Sequence, residues 1–536
     1  MAVVTTPPAT QGHFSSGASI WARISLTPRS ITGVCILIYL ATLTSDYFWD
    51  GITFALQIEK VAKGERGMAL LFHQNHLLYN AFGYLLFVSA RSLGLSVRAL
   101  TILELANVII GAIGVGVFFQ VVERLTKSRY WASLCSIALA ISATWWKLST
   151  DADAYIPAVF LILLCLRHLT GKNPRWYIAA LALAGAMLMH EIASLFSMGA
   201  IAMVISTSRQ NKRGFALRMS MGAWLLVVSV YYLCAYLLHD IRQPLAVVRW
   251  ATSNPSLILP SVNPIPGLLK TPRANLDLVV GHSFSTFFAM GGVIEWIAGL
   301  AAVGAGLTFI CTVTRNRCAL LCETIHETKT VIRRYRVFYM YLAMWITPYL
   351  IFLCFFEPQD PYLRLFYAPA LFLAVGLVMS DQTGAGGSIM ELSQYMRTSA
   401  AYAVATLALC NLAFFIAPHL HVRSNQIVAA AQEARNVWNA PTVIYFENHN
   451  EADTTFEYFN DQTLWRKATR QQSLEREIES AQSRGESVWI NRGVAASLDP
   501  DWLKWHNRGE EIRVDEVYGQ AFYLHIEPIQ LSNATQ

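Results

Sequence analysis

The sequence predicts a mainly α protein: a polytopic membrane helix bundle of about eleven spans, followed by a small C-terminal α/β domain outside the membrane. Three observations carry this. Charged residues are 14% of the 536 residues and hydrophobic residues 54%, where a soluble chain carries roughly 25% charge. Apolar runs of membrane-spanning character recur between residues 30 and 418. From about residue 423 charges become frequent and the apolar runs shorten. This composition excludes intrinsic disorder, a collagen helix and a disulfide scaffold. The net charge of +6 fits basic cytoplasmic loops and calls for no nucleic-acid partner.

Residues 1–29 are polar and rich in Pro, Ser and Gly, and read as a flexible cytoplasmic N-terminus without a cleavable signal peptide. The bundle occupies 30–420, with spans expected at 30–45, 99–122, 130–147, 154–169, 176–189, 191–206, 218–238, 284–314, 337–356, 365–381 and 400–418. A further run, 75–90, holds Asn75, His76, Asn80 and Ser89 and falls short of the ~20 residues a span needs. Charge parity decides its role. If it stays on the outer interface, Arg124, Lys127, Arg129, Arg167, Lys172, Arg175, Arg209, Lys212 and Arg213 all fall inside. Asp46, Asp50, Asp151, Asp153, Glu191, Glu357 and Asp360 then fall outside. A crossing there would invert every later loop, so 75–90 is expected to lie on the outer interface, with the C-terminus outside.

The spans 176–189 and 191–206 meet at His190-Glu191 and are expected to form a tight outer hairpin. Residues 239–282 read as a long, Pro-rich outside loop. Over 423–536, Thr442–Phe446 and Val488–Ile490 read as strands, 463–484 as helix, and Glu516–Ile526 as a final strand or strand pair. The cysteines fall mostly in apolar runs and give no disulfide framework. The Cys318, Cys322, His326 spacing lacks a fourth metal ligand and reads as free thiols.

Ionisable groups near a bilayer are costly and tend to be functional. Here the carboxylates collect on the outer side, in short connections far apart in sequence. If the spans pack in one bundle, these connections converge on one outward cavity. The first connection is Ser45-Asp46-Tyr47-Phe48-Trp49-Asp50-Gly51, whose two aspartates at a four-residue spacing can share a helical face. Alternatively, Asp50 simply begins a helix over Gly51–Val61. The second holds His73 and His76, able to reach a common ligand or to serve as caps. The third is Asp151-Ala152-Asp153-Ala154-Tyr155 after Lys147, where either aspartate can cap the next span. His190-Glu191 is either a ligand pair or a hydrogen-bonded structural pair. In Glu357-Pro358-Gln359-Asp360-Pro361-Tyr362-Leu363-Arg364, the arginine either clamps a phosphate or sits at the interface as an anchor. No Walker motif, Gly-rich dinucleotide loop or internal repeat is present.

The order and side of these motifs resemble the GT-C superfamily of membrane glycosyltransferases, which includes protein O-mannosyltransferases, aminoarabinose transferases and oligosaccharyltransferases. The resemblance spans about 30–420 and is best over 45–200. It rests on the acidic residue opening an interfacial helix (Asp50-Gly51), a His-Pro-Pro-type segment here without its prolines (His73 to Tyr79), the acidic-x-Tyr step Asp153-Ala154-Tyr155, the His190-Glu191 step, and Arg364 ahead of Leu365-Phe366-Tyr367-Ala368-Pro369.

The resemblance implies transfer of a sugar from a polyprenyl-phosphate donor to a lipid, glycan or protein acceptor on the outer face, in a bacterial inner membrane. It implies Asp50 as the base that deprotonates the acceptor, with Asp46 in reserve. Arg364, then Lys147, would hold the lipid phosphate. Asp153, His73, His76 and Glu191 would orient sugar, acceptor or a divalent cation such as Mg or Mn. Asp151, Tyr155, His190 and Glu357 complete the expected binding set. The alternative is a secondary transporter or lipid-linked sugar flippase. That reading calls for charges near span centres, broken helices and repeat symmetry; Glu104 and Glu295 are the deep charges available.

Overall fold

The computed structural model describes residues 26–171, 175–207, 212–252, 264–281, 336–381 and 389–425, isolated positions within 297–304, and most of 427–526. Most of the expected span 284–314, Glu295, and the Cys318, Cys322, His326 group lie outside the described residues.

Helix α1 (Pro28–Ala41) starts at a capping box: Ser30 N donates to Thr27 Oγ1 at 3.1 Å and Thr27 N to Ser30 Oγ at 2.8 Å. Ile31, Cys35 and Tyr39 repeat every fourth residue and bury one stripe, while Leu37 on another face stays 69% exposed. That stripe packs on α4 (Ala99–Thr126), the central helix, which also carries α5 (Arg129–Ala140) and α7 (Tyr155–Leu169). Packing is close enough that a Cβ on Gly111 of α4 would lie 2.4 Å from Ser149 Oγ.

The run expected as one span over 130–147 is two helices, α5 and α6 (Ala143–Ser149). The break is at Ile141-Ser142, where Ser142 Oγ donates back to Leu139 O at 2.7 Å. The Ile141 carbonyl freed by the break accepts from Asn411 Nδ2 at 2.7 Å. Helix α8 (Trp176–Met189) packs on α7 and α10 (Lys212–Leu238), and α9 (Phe196–Thr207) packs on α10 and α13 (Arg336–Phe355). A 3₁₀ turn, Glu191–Leu195, joins α8 to α9. The loop expected over 239–282 contains two helices instead, α11 (Pro244–Thr252) and α12 (Pro264–Val279). Pro at each first turn, where no N–H is needed, explains why a Pro-rich stretch folds this way.

The last bundle elements are a 3₁₀ turn Leu363–Tyr367, α14 (Ala368–Asp381), α15 (Ile389–Asn411), a π turn Leu412–Ile416, and the helical turn Ala417–His419. Five described helices are long and apolar enough to cross a membrane, and four shorter apolar ones accompany them. On α10, Leu217, Leu225, Val228 and Leu237 are 59–63% exposed. An apolar surface of that kind is stable only against lipid, and the chain is an integral membrane protein. Helices α2 (Trp49–Ala62) and α3 (Tyr79–Ser92) lie together against the N-terminal part of α4.

The C-terminal part forms a five-stranded sheet in the order β2-β1-β3-β5-β4, from β1 (Thr442–Phe446), β2 (Thr463–Lys467), β3 (Ser487–Asn491), β4 (Arg508–Glu516) and β5 (Gly519–Ile526). Strand β1 runs parallel to β2 and β3, and β5 antiparallel to β3 and β4. Residues 463–467, expected as helix, are a strand, and the helix α17 begins at Gln471; α16 (Ala452–Phe459) precedes both. Val443, Val488, Ile490 and Ile526 bury with Leu474 and Ile478 of α17 as a separate core.

This part docks on α2 through α16. Glu59, 5% exposed, accepts from Arg98 Nε at 2.8 Å, Ala99 N at 2.9 Å and the Tyr458 hydroxyl at 3.2 Å. The Arg98 guanidinium stacks over the Tyr458 ring at 4.0 Å. One acid of α2 thereby caps α4 and holds the C-terminal part at once.

Candidate active site

The connection between α6 and α7 is the centre of the site, and every residue from 138 to 159 is buried. Asp151 Oδ2 accepts from Lys147 Nζ at 2.7 Å and from Phe48 N at 3.0 Å, and Oδ1 accepts from Ala152 N at 2.7 Å. Lys147 Nζ also donates to Asp46 O at 2.5 Å. Asn107 Nδ2 of α4 donates to the carbonyls of Asp151 and Asp153 at 2.8 and 2.7 Å. These bonds fix the connection to the segment 44–50. A buried ion pair of this kind is expensive to break from one side only. It also engages Lys147, expected as the second phosphate cation, with a carboxylate and a carbonyl.

Helix α2 begins at Trp49, so Asp46 lies in the loop before it and does not share a helical face with Asp50. Asp46 Oδ2 lies 3.1 Å from His419 Nε2 instead. Asp50 sits half-exposed in the first turn of α2. Its neighbour Gly51 touches the α6–α7 connection so closely that a Cβ there would lie 2.2 Å from Ala152 O. This contact explains the glycine and places Asp50 beside Asp153.

Asp153 is fully buried; Tyr155 N donates to its Oδ1 at 3.4 Å, and its Oδ2 has no hydrogen-bond partner. Burial raises the Asp153 carboxyl well above its usual range, and the charges of Asp50 and Asp151 raise it further. Of Asp50 and Asp153, Asp153 is the buried carboxyl whose proton is held the more tightly for being out of water.

The imidazoles are arranged differently from the common-ligand expectation. His73 is exposed and His76 buried, with ring centroids 6.4 Å apart. His76 packs edge-on against His190 at 4.5 Å, and His190 packs on Tyr155 at 4.7 Å and Phe366 at 5.1 Å. His190 Nδ1 accepts from Ile192 N at 3.3 Å and so starts the 3₁₀ turn, while Glu191 beside it is half-buried. Burial pushes His76 down to about 3, with His73 adding to it, and His190 well below its usual value, with His76 adding to it. Burial lowers His73 as well, so all three imidazoles favour the neutral ring, and His76 and His190 are packed.

The segment 357–364 closes the other side. Glu357 adopts φ +42°, the left-handed region that a β-carbon disfavours. Its carbonyl accepts from Asp360 N at 3.0 Å, and Asp360 Oδ1 accepts from Tyr362 N at 2.7 Å. Tyr362 packs edge-on against Phe48 at 5.4 Å. Arg364 is fully buried; it donates to Pro358 O at 2.6 Å and to the Tyr367 hydroxyl at 2.8 Å, and its Nε has no partner. Tyr367 in turn donates to Asn275 of α12 at 2.5 Å. Among the described residues no carboxylate pairs with Arg364, so a whole positive charge is held away from water without an anion. Asp50, Asp153, Glu357 and Asp360 all lie within electrostatic reach of the Tyr155 hydroxyl, which joins the two sides.

Asp46, Asp50, Lys147, Asp151, Asp153, Tyr155, His76, His190 and Glu357 therefore belong to one cluster, with His73 and Glu191 at its edge; Arg364 borders it through its bond to Pro358 O, next to Glu357. Sequence reasoning missed His419 and Asn107. His419 was legible in one respect: Ala417-Pro418-His419 ends the last apolar run on the acidic side. As for a metal, among the described residues no three His, Cys, Asp or Glu side chains gather closely enough to hold one. Asp153 Oδ2 has no hydrogen-bond partner among the described residues, but the side chains around it do not complete a cation's ligand shell.

No family model and no curated protein matches the chain. Solved structures do. The aminoarabinose transferase ArnT from Cupriavidus metallidurans bound to undecaprenyl phosphate aligns with a TM-score of 0.56 at 11% identity, covering 92% of this chain and 97% of that one. The same protein in the apo state gives 0.54 at 12% identity with the same coverage. An oligosaccharyltransferase from Archaeoglobus fulgidus, in complex with Zn and sulfate, gives 0.48 at 11% identity, covering 92% and 73%. The chain shares the fold of ArnT from Cupriavidus metallidurans.

Proposed function

We propose that this protein transfers a sugar from a polyprenyl-phosphate donor to an acceptor at the outer face of the membrane. The observation that carries the reading is a half-exposed Asp50 beside the buried, raised carboxyl of Asp153, with a buried Arg364 in the bordering segment 357–364 that has no carboxylate partner among the described residues. A fold shared with a protein bound to undecaprenyl phosphate supports it.

The chemistry is set by the charges. Asp50 accepts the proton of the acceptor's nucleophile as that atom attacks the anomeric carbon, a contribution of about 10²–10⁴-fold. The buried Asp153, raised by burial and by the charge of Asp50, leaves the half-exposed Asp50 as the member of the pair that faces water and takes the proton. The bond from the anomeric carbon to the phosphate oxygen breaks, and the negative charge developing on that oxygen is met by Arg364 in a water-poor site. The lipid chain lies against the exposed apolar helix surfaces. Helix α12 flanks the Arg364 side, with Asn275 tying it to Tyr367, and α11 packs at the Gln74–His76 turn. On this reading eleven spans place 423–536 outside, where it meets the acceptor. Lys147 and Asp151 have an architectural role.

The test is release of polyprenyl phosphate, followed by mass spectrometry, from purified protein given a panel of polyprenyl-phosphate sugars. Asp50→Asn should abolish release, by about 10²-fold or more, while the protein still inserts. An unchanged rate in that variant removes Asp50 as the base.

A further inference from the structure

We propose that Asp46 and His419 share a single proton, that this proton fastens the segment 44–50 over the site, and that His419 is consequently a positioning residue whose hold is lost as pH rises. Its link to catalysis rests on the reading of Asp50 as the base; the proton sharing itself does not.

The geometry begins in the last bundle helix. Helix α15 ends at Asn411, and the next turn, Leu412–Ile416, is π rather than α. Single π turns inside α-helices recur at functional sites, because the extra residue re-aims the side chains beyond it. Asn411 anchors the irregularity: its Nδ2 donates to Ile141 O at 2.7 Å and Val279 O at 2.8 Å, and its Oδ1 accepts from Gly281 N at 3.1 Å. The end of α15 is thereby tied to the α5–α6 break and to the end of α12.

His419, so aimed, grips the loop before α2 with both backbone and side chain. Its carbonyl accepts from Ser45 N at 2.8 Å, Asp46 N at 3.3 Å and Thr44 Oγ1 at 3.3 Å. Its Nδ1 bonds the Phe415 carbonyl, and its Nε2 lies 3.1 Å from Asp46 Oδ2. A carbonyl can only accept, so Nδ1 carries a proton. Nε2 then meets a carboxyl oxygen. That contact is attractive only if a proton lies between them, as an imidazolium beside a carboxylate or as a carboxylic acid bonded to a neutral ring. With no such proton, a ring lone pair faces a charged oxygen. The described arrangement is the proton-loaded one.

Among the described residues, the other charged and titratable groups facing the pair are Lys147 and Asp151, from α6 and the connection after it, and Tyr362 from the segment 357–364; burial lowers the His419 ring below its ordinary value, the charge of Asp46 raises it and that of Lys147 lowers it. Lys147 donates to the Asp46 carbonyl and to Asp151, so its charge is already shared. The side chains of His419 and Asp46 are 13% and 25% exposed, which gives the shared proton a route to water. The fastened loop holds one more proton than the loosened one. The hold is therefore complete at low pH and is lost as pH rises through the titration of the pair, whose apparent value belongs to both groups together. Once it is lost, Asp46 repels the ring, the loop loosens, and the first turn of α2 with Asp50 loses its support.

The test uses the full-length protein in nanodiscs. Hydrogen–deuterium exchange of 44–50, corrected for the intrinsic pH dependence, is followed from about pH 5 to about pH 10. In the wild type protection should fall by about tenfold or more across the transition. In His419→Gln, whose amide nitrogen replaces Nε2 and donates at every pH, protection should be flat. Protection that is flat in the wild type, or that falls equally in both, overturns the shared proton whatever reaction the protein performs. Should the variant not fold, ¹⁵N-histidine NMR of the wild type decides the same point. Nδ1 must stay protonated while the proton between Nε2 and Asp46 is lost on raising pH; a ring protonated on Nε2 alone overturns it. For the positioning role, the limb of kcat that falls as pH rises should move to higher pH in His419→Gln, and a limb that stays in place refutes that role.

Discussion

The ammonium of Lys147 lies 2.7 Å from the carboxylate of Asp151, one helical turn away, and the two side chains are 4% and 0% exposed. Such a pair is balanced internally but not singly. Lys147→Met leaves a buried carboxylate without its cation, and should lower the unfolding free energy by about 3–5 kcal/mol. Replacing both residues by apolar ones should recover most of that loss. Thermal unfolding of the three proteins in detergent checks this. A single variant as stable as the wild type but unable to bind lipid phosphate would instead return Lys147 to the phosphate site.

The contact between α2 and the α6–α7 connection makes a sharper steric prediction. A methyl group on Gly51 would sit 2.2 Å from Ala152 O, which is backbone and cannot rotate away. Gly51→Ala should displace Asp50 and cut turnover by about 10²-fold, the scale of a catalytic group moved by about 1 Å. Gly33→Ala is the control, because nothing lies within 4 Å of the added atom. Initial rates on the two variants, at matched expression, are the measurement.

Asp360 supplies a pH dependence of stability. Burial raises its carboxyl to about 6, against an unfolded value near ~3.9. The folded protein therefore binds this proton more tightly than the unfolded chain. Stability from this group is fully present below about pH 4 and declines as pH rises to about 6. Asp360→Asn keeps the acceptor for Tyr362 N and removes the charge. It should be more stable than the wild type above about pH 6, by at most about 3 kcal/mol, with the difference vanishing near pH 4. Unfolding midpoints across pH test this; a variant less stable at pH 8 contradicts it.

The attachment of the C-terminal part depends on Glu59, Arg98 and Tyr458. Tyr458→Ala removes the hydroxyl bonded to Glu59 and to Leu100 N, and the ring under Arg98. Limited proteolysis should then cut between α15 and β1 several-fold faster, while Tyr458→Phe, which keeps the ring, should fall between. Equal cutting rates in all three proteins would mean that the clamp does not hold the docking.

Legibility in the sequence tracks how local each signal is. Apolar runs and charge sidedness are local, and α4, α7, α8, α10 and α13 lie where hydropathy puts them. The break at Ile141-Ser142 was not legible, because it is stabilised by Asn411, distant in sequence. The strand over 463–467 was hidden for a similar reason: its charged residues read as helix, but pairing with β1 decides. At the site, residue types and order indicated the cluster, but not which groups neutralise one another. Lys147 read as a free cation because Asp151 binds it only once the α6–α7 connection is folded. Arg364 reads from the sequence as a cation beside a Pro-bounded turn, while its lack of a carboxylate partner among the described residues is a property of the fold alone.

If Arg364 is the phosphate-binding cation of the site that holds Asp50, lipid affinity and turnover should separate cleanly between the two residues. Titration of undecaprenyl phosphate into the detergent-solubilised protein, followed by native mass spectrometry, measures the affinity. The wild type and Asp50→Asn should bind alike, and Arg364→Gln should bind about tenfold or more weakly, the scale of a lost charged hydrogen bond. Equal affinity in a folded Arg364→Gln protein would remove Arg364 from the phosphate site.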